Sequence, residues 1–408
     1  MVNLFFKVIG FDSIQMKMNT LKSLQIRNLL SFGEDSPEVD FGNLNVLIGP
    51  NGSGKSNLLE VIGLLKSTPK DFVAEIGDSG GIVEWLWKGK SKNKNRVASI
   101  NVKADPRGIS KTISYELSFI REGSQIKMID ERIQNEKPDE GHERPYLYFD
   151  FHGGRPVLNV AGRPRSLKRE EVDLQRSILS QRQDPDQYPE VTYLGRFFAS
   201  FRLYRNWDFG PSSAIRDLYG AGQKNDFLEE DFSNLGLMLN KLRADPGSKT
   251  ELLRNLKMFY AGAEDILTRI EGGLIDLRIE EESGASIPAS RLSDGTLRWL
   301  SLLAILLHPD PPALVCIEEP ELGLHPDMIQ PLAKLLLSAS ERMQLIVTTH
   351  SDDLVDELSG TPEAVIICEK SAGSSVLKRL NSEKLADWLE RYRLGELWRT
   401  GEIGGNRW

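Results

Sequence analysis

The sequence predicts an α/β fold with a mostly parallel core sheet, and three observations carry that prediction. A short apolar strand, a glycine-rich loop and an amphipathic helix follow one another over residues 44–65. Strands and helices alternate from about residue 274 to residue 368, as crossover units do. Within that alternation, residues 313–317 form an unbroken apolar run, the pattern of a strand buried on both faces, and residues 345–349 read as another buried strand.

The first observation carries the most chemistry. Gly49-Pro50-Asn51-Gly52-Ser53-Gly54-Lys55-Ser56 reads glycine, four residues, glycine, lysine and a hydroxyl residue. Leu44, Val46 and Ile48 lie on one side of the preceding strand; Leu58, Leu59, Ile62 and Leu65 share one face of the following helix. Gly49, Gly52 and Gly54 let the backbone fold back so that its N–H groups face phosphate oxygens. The helix N-terminus adds a partial positive charge and Lys55 a full one. Ser56 is placed to ligate Mg²⁺. Asn51, Gly52, Ser53, Gly54, Lys55, Ser56 and Asn57 therefore form the expected nucleoside-triphosphate-binding set, with Lys55 also counted as catalytic.

Composition narrows the field. The chain has 408 residues, enough for two or three domains or for one domain with a large insertion. No apolar run reaches the roughly 18 residues that a bilayer-spanning helix needs. Residues 1–15 lack a cleavage site and a charged start, so they do not read as a signal peptide; the start falls at Met1, Met16 or Met18. A cytoplasmic protein is expected. The net charge of −8 means that any nucleic-acid contact must come from a local patch. Cys316 and Cys368 sit in apolar runs and read as small buried hydrophobes. No Cys/His group has zinc spacing.

Along the chain, residues 21–28 read as a strand, and residues 97–104, 113–120 and 126–134 as an antiparallel meander. Residues 167–188 are helical in composition, ended by Pro185; residues 235–262 hold two helices broken at Asp245-Pro246-Gly247. Then come strand 274–279, helix 295–307, strand 313–317, helix 326–338, strand 345–349, short helix 352–358 and strand 364–368. The expected divisions are 20–135, an amino-terminal lobe with the loop and antiparallel strands; 136–272, a partly helical insertion or lid; 273–380, the second lobe; and 381–408, a helix and tail.

A phosphate loop needs an acid for Mg²⁺ at a neighbouring strand end. Strand 313–317 delivers Glu318 and Glu319 to the carboxyl edge of the sheet, where open α/β folds bind ligands. Glu318 is the better candidate for holding Mg²⁺ through water, and Glu319 for polarising the attacking water. Strand 345–349 delivers His350 to the same edge, within reach of a γ-phosphate or that water. Leu292-Ser293-Asp294-Gly295-Thr296 opens a helix; Ser293 there is either an ordinary cap or, with the free N–H groups, an anion contact.

These elements in this order resemble the ATP-binding-cassette ATPases, and more closely their RecF/SMC-like branch, a P-loop NTPase fold. The matching stretches are GPNGSGKSN at residues 49–57, LSDGT at 292–296, CIEEPELGLHP at 316–326 and TTHSDDLVD at 348–356; EEPELGLHP is especially like the RecF/OLD ATPases. The resemblance covers residues 21–65 and 274–368. It implies ATP and Mg²⁺ as ligands, Glu318 as the Walker B acid, Glu319 as the catalytic glutamate and His350 as the switch histidine. Ser293 and Gly295 would then contact ATP held by a second subunit of an ATP-driven homodimer. The sequence departs from the family pattern at Asp294, usually glycine, and at Thr296, glutamine in transporters. It departs again at Glu318, more commonly aspartate, and at His325, aspartate in transporters. Gln125 and Gln134 are candidates for the Q-loop glutamine.

More than half of the chain separates Lys55 from Glu318, so an insertion carries partner or substrate specificity. Lys88, Lys90, Lys92, Lys94 and Arg96 form one basic run there, and Arg163, Arg165, Lys168 and Arg169 another. Each reads either as a solvated loop or as a DNA-backbone contact. The glycine-rich tail with Trp398 and Trp408 either tucks back onto the fold or docks a partner. The chain ends before any fused Toprim nuclease domain, so a nuclease effector is expected as a separate protein, in phage defence or DNA repair. The rival readings are an ATP-gated scaffold with negligible turnover and, less well supported, a transporter's energy-supplying subunit or a simple kinase.

Overall fold

Among the described residues, six strands form the sheet that carries the site. Their order is Arg202–Tyr204, Leu314–Glu318, Gln344–Thr348, Leu44–Ile48, Val365–Ser371 and Ser374–Arg379. The first five run parallel, and the last returns antiparallel. The computed structural model describes residues 19–90, 96–160, 163–166, 173, 175–217, 219–220, 222 and 225–405.

The apolar strands have a direct cause. Leu47, Leu314, Cys316, Ile346, Ile366 and Cys368 point into one core. Leu44, Val46, Ile48, Val315, Ile317, Leu345, Val347, Val365 and Ile367 point into the other. A strand covered on both faces is apolar at nearly every position; the buried exceptions here are Asn45, Gln344 and Thr348. The first core lies between this sheet, helix Lys55–Ser67 and an antiparallel sheet; the second is roofed by helices Asp294–Leu306 and Ile329–Ser340. Both cysteines are free and buried, and burial pushes their thiols up. No described helix is long and apolar enough to cross a membrane.

The antiparallel meander is longer than the sequence indicates. Its strands run in the order Val39–Asp40, Thr20–Arg27, Ala98–Asp105, Ile113–Glu122, Gln125–Asn135, Leu147–His152, Arg155–Val160 and Arg163–Ser166. The division expected at residues 135–136 therefore falls inside one continuous sheet. Strand Leu274–Glu281 also differs from expectation. It pairs antiparallel with Ala263–Glu271 in a separate small sheet, with Tyr219–Gly220 and Ser286–Pro288 beside it, and takes no part in the parallel sheet. Its alternation of buried and half-buried residues is the mark of a strand covered on one face only.

Of the helix expected over residues 167–188, the described part is helical only at Ile178–Gln181. The longer helix, Pro189–Ala199, starts just beyond. A proline suits the first turn of a helix because that N–H has no intrahelical partner, so Pro189 opens a helix there. The break at Asp245 stands as expected: its side chain caps helix Pro246–Phe259 after helix Leu235–Ala244. At the carboxyl end, Trp398 is buried and its Nε1 donates to the Gly405 carbonyl at 3.0 Å. Residues 406–408, like Lys92, Lys94, Lys168 and Arg169, lie outside the described residues. Arg163 and Arg165 lie on the last strand of the antiparallel sheet. Lys88 pairs with Glu84, and Arg96 donates to the Trp87 and Gly89 carbonyls.

One acid is sealed in this scaffold. Glu131, fully buried, accepts hydrogen bonds from Tyr115 Oη at 2.9 Å, Ser177 Oγ and the Ile178 N–H at 2.9 Å, tying the antiparallel sheet to helix Ile178–Gln181. Burial pushes its carboxyl up from 4.5 to about 7, against the lowering effect of those bonds. The folded state thus holds this proton more tightly than the unfolded chain. Its stabilising contribution is complete below pH 4.5 and is lost as pH rises through about 7. Wild type should lose on the order of 3 kcal/mol relative to Glu131→Gln between those limits. Denaturant unfolding across a pH series measures this, and a pH-independent difference would contradict it.

Candidate nucleotide-binding site

The phosphate loop joins strand Leu44–Ile48 to helix Lys55–Ser67 and takes its shape from three glycines. Gly49, Gly52 and Gly54 have φ of +145°, +75° and +111°. A Cβ on Gly49 would lie 2.2 Å from the Cys368 carbonyl oxygen, and one on Gly54 would lie 2.2 Å from Ser375 Oγ. Behind the loop, Ser375 Oγ donates to the Ser53 carbonyl at 2.6 Å and shares a hydrogen bond with Ser31 Oγ at 2.7 Å. The loop is therefore clamped between its own helix and the outermost strand pair.

Lys55 Nζ donates to the Gly49 carbonyl at 2.7 Å and the Pro50 carbonyl at 3.2 Å, so the ammonium sits inside the loop. Ser53 Oγ is buried and has no hydrogen-bond partner. A buried hydroxyl without a partner in a glycine cradle at a helix N-terminus suits an anionic ligand. Ser56 Oγ donates to Glu318 Oε1 at 2.5 Å, which joins the two residues expected to share Mg²⁺. A hydroxyl and a carboxylate are hard oxygen donors of the kind that Mg²⁺ prefers. This donor set fits a Mg–nucleotide.

Strand register accounts for the meeting of distant residues. Glu318 pairs with Thr348, and Thr348 with Leu47, so three strand ends finish level. Glu319 leaves its strand at φ +46°, with its N–H donating to the Thr348 carbonyl at 3.0 Å. Non-glycine residues rarely hold that conformation, and it turns the Glu319 side chain towards His350. Glu319 Oε1 and His350 Nε2 stand 3.7 Å apart. Both line an open cleft of about 530 Å³ with Gly49, Pro50 and Asn51 on one wall and Trp398, Arg399 and Gly405 on another. Asn57 does not line this cleft; it lines a different pocket, with Trp87.

Ser293 and Gly295 do not line this cleft. Ser293 caps helix Asp294–Leu306: its Oγ accepts from the Thr296 N–H at 3.1 Å. Arg216 holds that turn from outside through Asp294 and the Leu292 carbonyl. Gly295 packs where a Cβ would stand 3.1 Å from the Gly323 carbonyl oxygen. Gln125 and Gln134 lie on strand Gln125–Asn135 of the antiparallel sheet and line no part of the cleft. His325 caps the short turn Pro326–Met328.

Several residues at the site carry no role in the sequence reading. Glu321 Oε1 accepts from Thr349 Oγ1 at 2.5 Å and from the His350 N–H at 3.2 Å, and burial pushes its carboxyl up. Arg205 and Trp207 reach Glu318, and Arg298 donates to the Glu319 carbonyl at 3.1 Å. Only Glu321 had a local signal, inside EEPELGLHP. The others arrive through folding of distant segments.

The parallel sheet, phosphate loop and paired acids define a P-loop ATPase of the ABC type. Residues 44–356, more than half of the chain, match the family model described as "AAA domain, putative AbiEii toxin, Type IV TA system", and the protein belongs to that family. The fold is that of SMC head domains. One similar solved structure is an SMC head bound to the C-terminal winged-helix domain of ScpA: 15% identity, TM-score 0.52, with 90% of this chain and 99% of that one covered. Another is an SMC head with an extended coiled coil, bound to the C-terminal domain of ScpA from Pyrococcus furiosus: 14% identity, TM-score 0.52, with 91% and 99% covered. No curated protein matches the chain. The protein is thus an SMC/RecF-like ABC-type AAA ATPase by family and fold.

The glycine geometry supplies a test. Alanine at Gly49 must displace a main-chain carbonyl, whereas at Gly52 it meets nothing within 4 Å and bears only the left-handed φ. Gly52→Ala should cost about 1–2 kcal/mol and Gly49→Ala clearly more. Thermal unfolding of the two variants measures the difference, and equal losses would contradict it.

Proposed function

We propose that this protein binds ATP and Mg²⁺ and hydrolyses the γ-phosphate bond, with Glu319 as general base. The carrying observation is the convergence of Ser56, Glu318, Glu319 and His350 beside the phosphate loop, with Ser56 Oγ 2.5 Å from Glu318 Oε1. Lys55 and the loop N–H groups bind the phosphates. Ser56 and Glu318 hold Mg²⁺, which neutralises phosphate charge when bound. Glu319 accepts a proton from the attacking water, and His350, its backbone fixed by Glu321, donates a hydrogen bond at the γ-phosphate.

The active species in this proposal is a homodimer. Ser293 and Gly295 lie at an exposed helix start away from their own cleft, which supports a role opposite the phosphate loop of a second copy. ATP then favours the closed pair by binding it more tightly than the open state. We further propose an output on a separate effector, such as a Toprim-like nuclease, or on DNA, in phage defence or repair; the matched family is described as a putative toxin and not as a membrane transporter. The solved SMC heads with ScpA domains support docking of a partner protein.

Glu319→Gln should lower turnover by about 100-fold or more while ATP shifts the variant to a dimer. Phosphate release and light scattering after size exclusion read the two effects. Undiminished turnover would rule out Glu319 as the base, and a monomer with bound ATP would rule out the dimer. Charge neutralisation at Lys88, Lys90, Lys92, Lys94, Arg163, Arg165, Lys168 and Arg169 tests the DNA output. Reduced, salt-sensitive DNA affinity is expected, and unchanged affinity removes these residues from that role.

A further inference from the structure

The acid at the Mg²⁺ position is gripped by a segment that no motif marks. Edge strand Arg202–Tyr204 pairs parallel with Leu314–Glu318, with Tyr204 beside Ile317. The next residues, Arg205 and Glu318, therefore meet at the sheet edge. Arg205 Nε donates to Glu318 Oε2 at 3.3 Å, and Arg205 Nη2 to Glu60 Oε1 at 3.4 Å. Trp207 Nε1 donates to the main-chain oxygen of Glu318 at 2.7 Å. Trp207 is braced in turn by stacking on Phe232, at 5.1 Å and 21°, and by the Arg298 guanidinium 4.6 Å above its ring.

Glu318 is thus held at three atoms: Oε1 by Ser56, Oε2 by Arg205 and the carbonyl by Trp207. An arginine has donors only and keeps its proton, so it cannot ligate a cation. It can orient a carboxylate that does. The guanidinium is also shared with Glu60, which offsets the repulsion it would exert on an incoming divalent ion.

We propose that Arg205 is a positioning residue for Glu318. It holds Oε2 so that Oε1 stays turned to Ser56 and the pair receives Mg²⁺ already oriented. This rests on the nucleotide reading above. The grip comes from the long segment between the phosphate loop and the acidic strand, so that segment completes the metal site rather than only decorating it.

The test is a Mg²⁺ titration of binding of a fluorescent, non-hydrolysable ATP analogue to the full chain, repeated in EDTA. Losing an outer partner of a metal-binding carboxylate typically weakens metal affinity by about 10- to 100-fold. Arg205→Ala should therefore raise the Mg²⁺ midpoint about tenfold or more, with EDTA affinity within about twofold of wild type. Arg205→Lys keeps the charge but cannot span both acids, and should fall between the two. Glu60→Gln loosens the far end of the bridge and should raise the midpoint about two- to threefold.

An Arg205→Ala midpoint within twofold of wild type overturns the role, as does an equal loss of affinity in EDTA. If Arg205→Ala does not fold, an unchanged midpoint in both Arg205→Lys and Glu60→Gln overturns it. Wild type without Mg²⁺-dependent binding would overturn the nucleotide reading itself, a distinguishable result.

Discussion

The site depends on the register of three parallel strands. Leu47, Thr348 and Glu318 stand side by side across the sheet, so the phosphate loop, His350 and the acid pair all leave it at one level. A slip of one residue would turn every side chain to the opposite face. The two cores oppose such a slip, because alternate residues of each strand are committed to different cores. Packing on both faces of the sheet thereby becomes ångström-scale placement at its edge.

The loop is constrained from behind as well. Cys368 presents its carbonyl where a Gly49 side chain would be, and Ser375 closes on Ser53 and Gly54 from the last strand pair. A Cβ on Gly405 would lie 3.7 Å from the Gly49 Cα, and the Gly405 N–H donates to Glu369 Oε1 at 2.6 Å. The carboxyl-terminal tail is thus part of the wall around the cleft. Its buried Trp398 follows from that packing.

The long segment between the motifs is joined to the sheet rather than hung from it. Its strand Arg202–Tyr204 is the sheet's outer parallel member, and Trp207, Phe209 and Phe232 form an aromatic cluster beside the acid pair. Arg298 crosses from helix Asp294–Leu306 to that cluster while bonding the Glu319 carbonyl. One connected set of contacts therefore links the segment, the helix that Ser293 caps and the strained Glu319 backbone.

The sequence by itself determined the local elements that carry their own signals. The phosphate loop was legible because glycine spacing and a following amphipathic helix are local properties, and the acidic and histidine strands because burial on both faces leaves a largely apolar run. It did not determine sheet membership: strand 274–281 alternates like any one-sided strand, and only pairing assigned it to a separate antiparallel sheet. The extent of the meander past residue 135 was hidden for the same reason. Arg205, Trp207, Ser375 and Arg298 carry no local mark, since an arginine reads alike on a solvated surface and on a buried carboxylate. Their places were decided by long-range strand pairing and by two cores filling at once, which are properties of the folded chain.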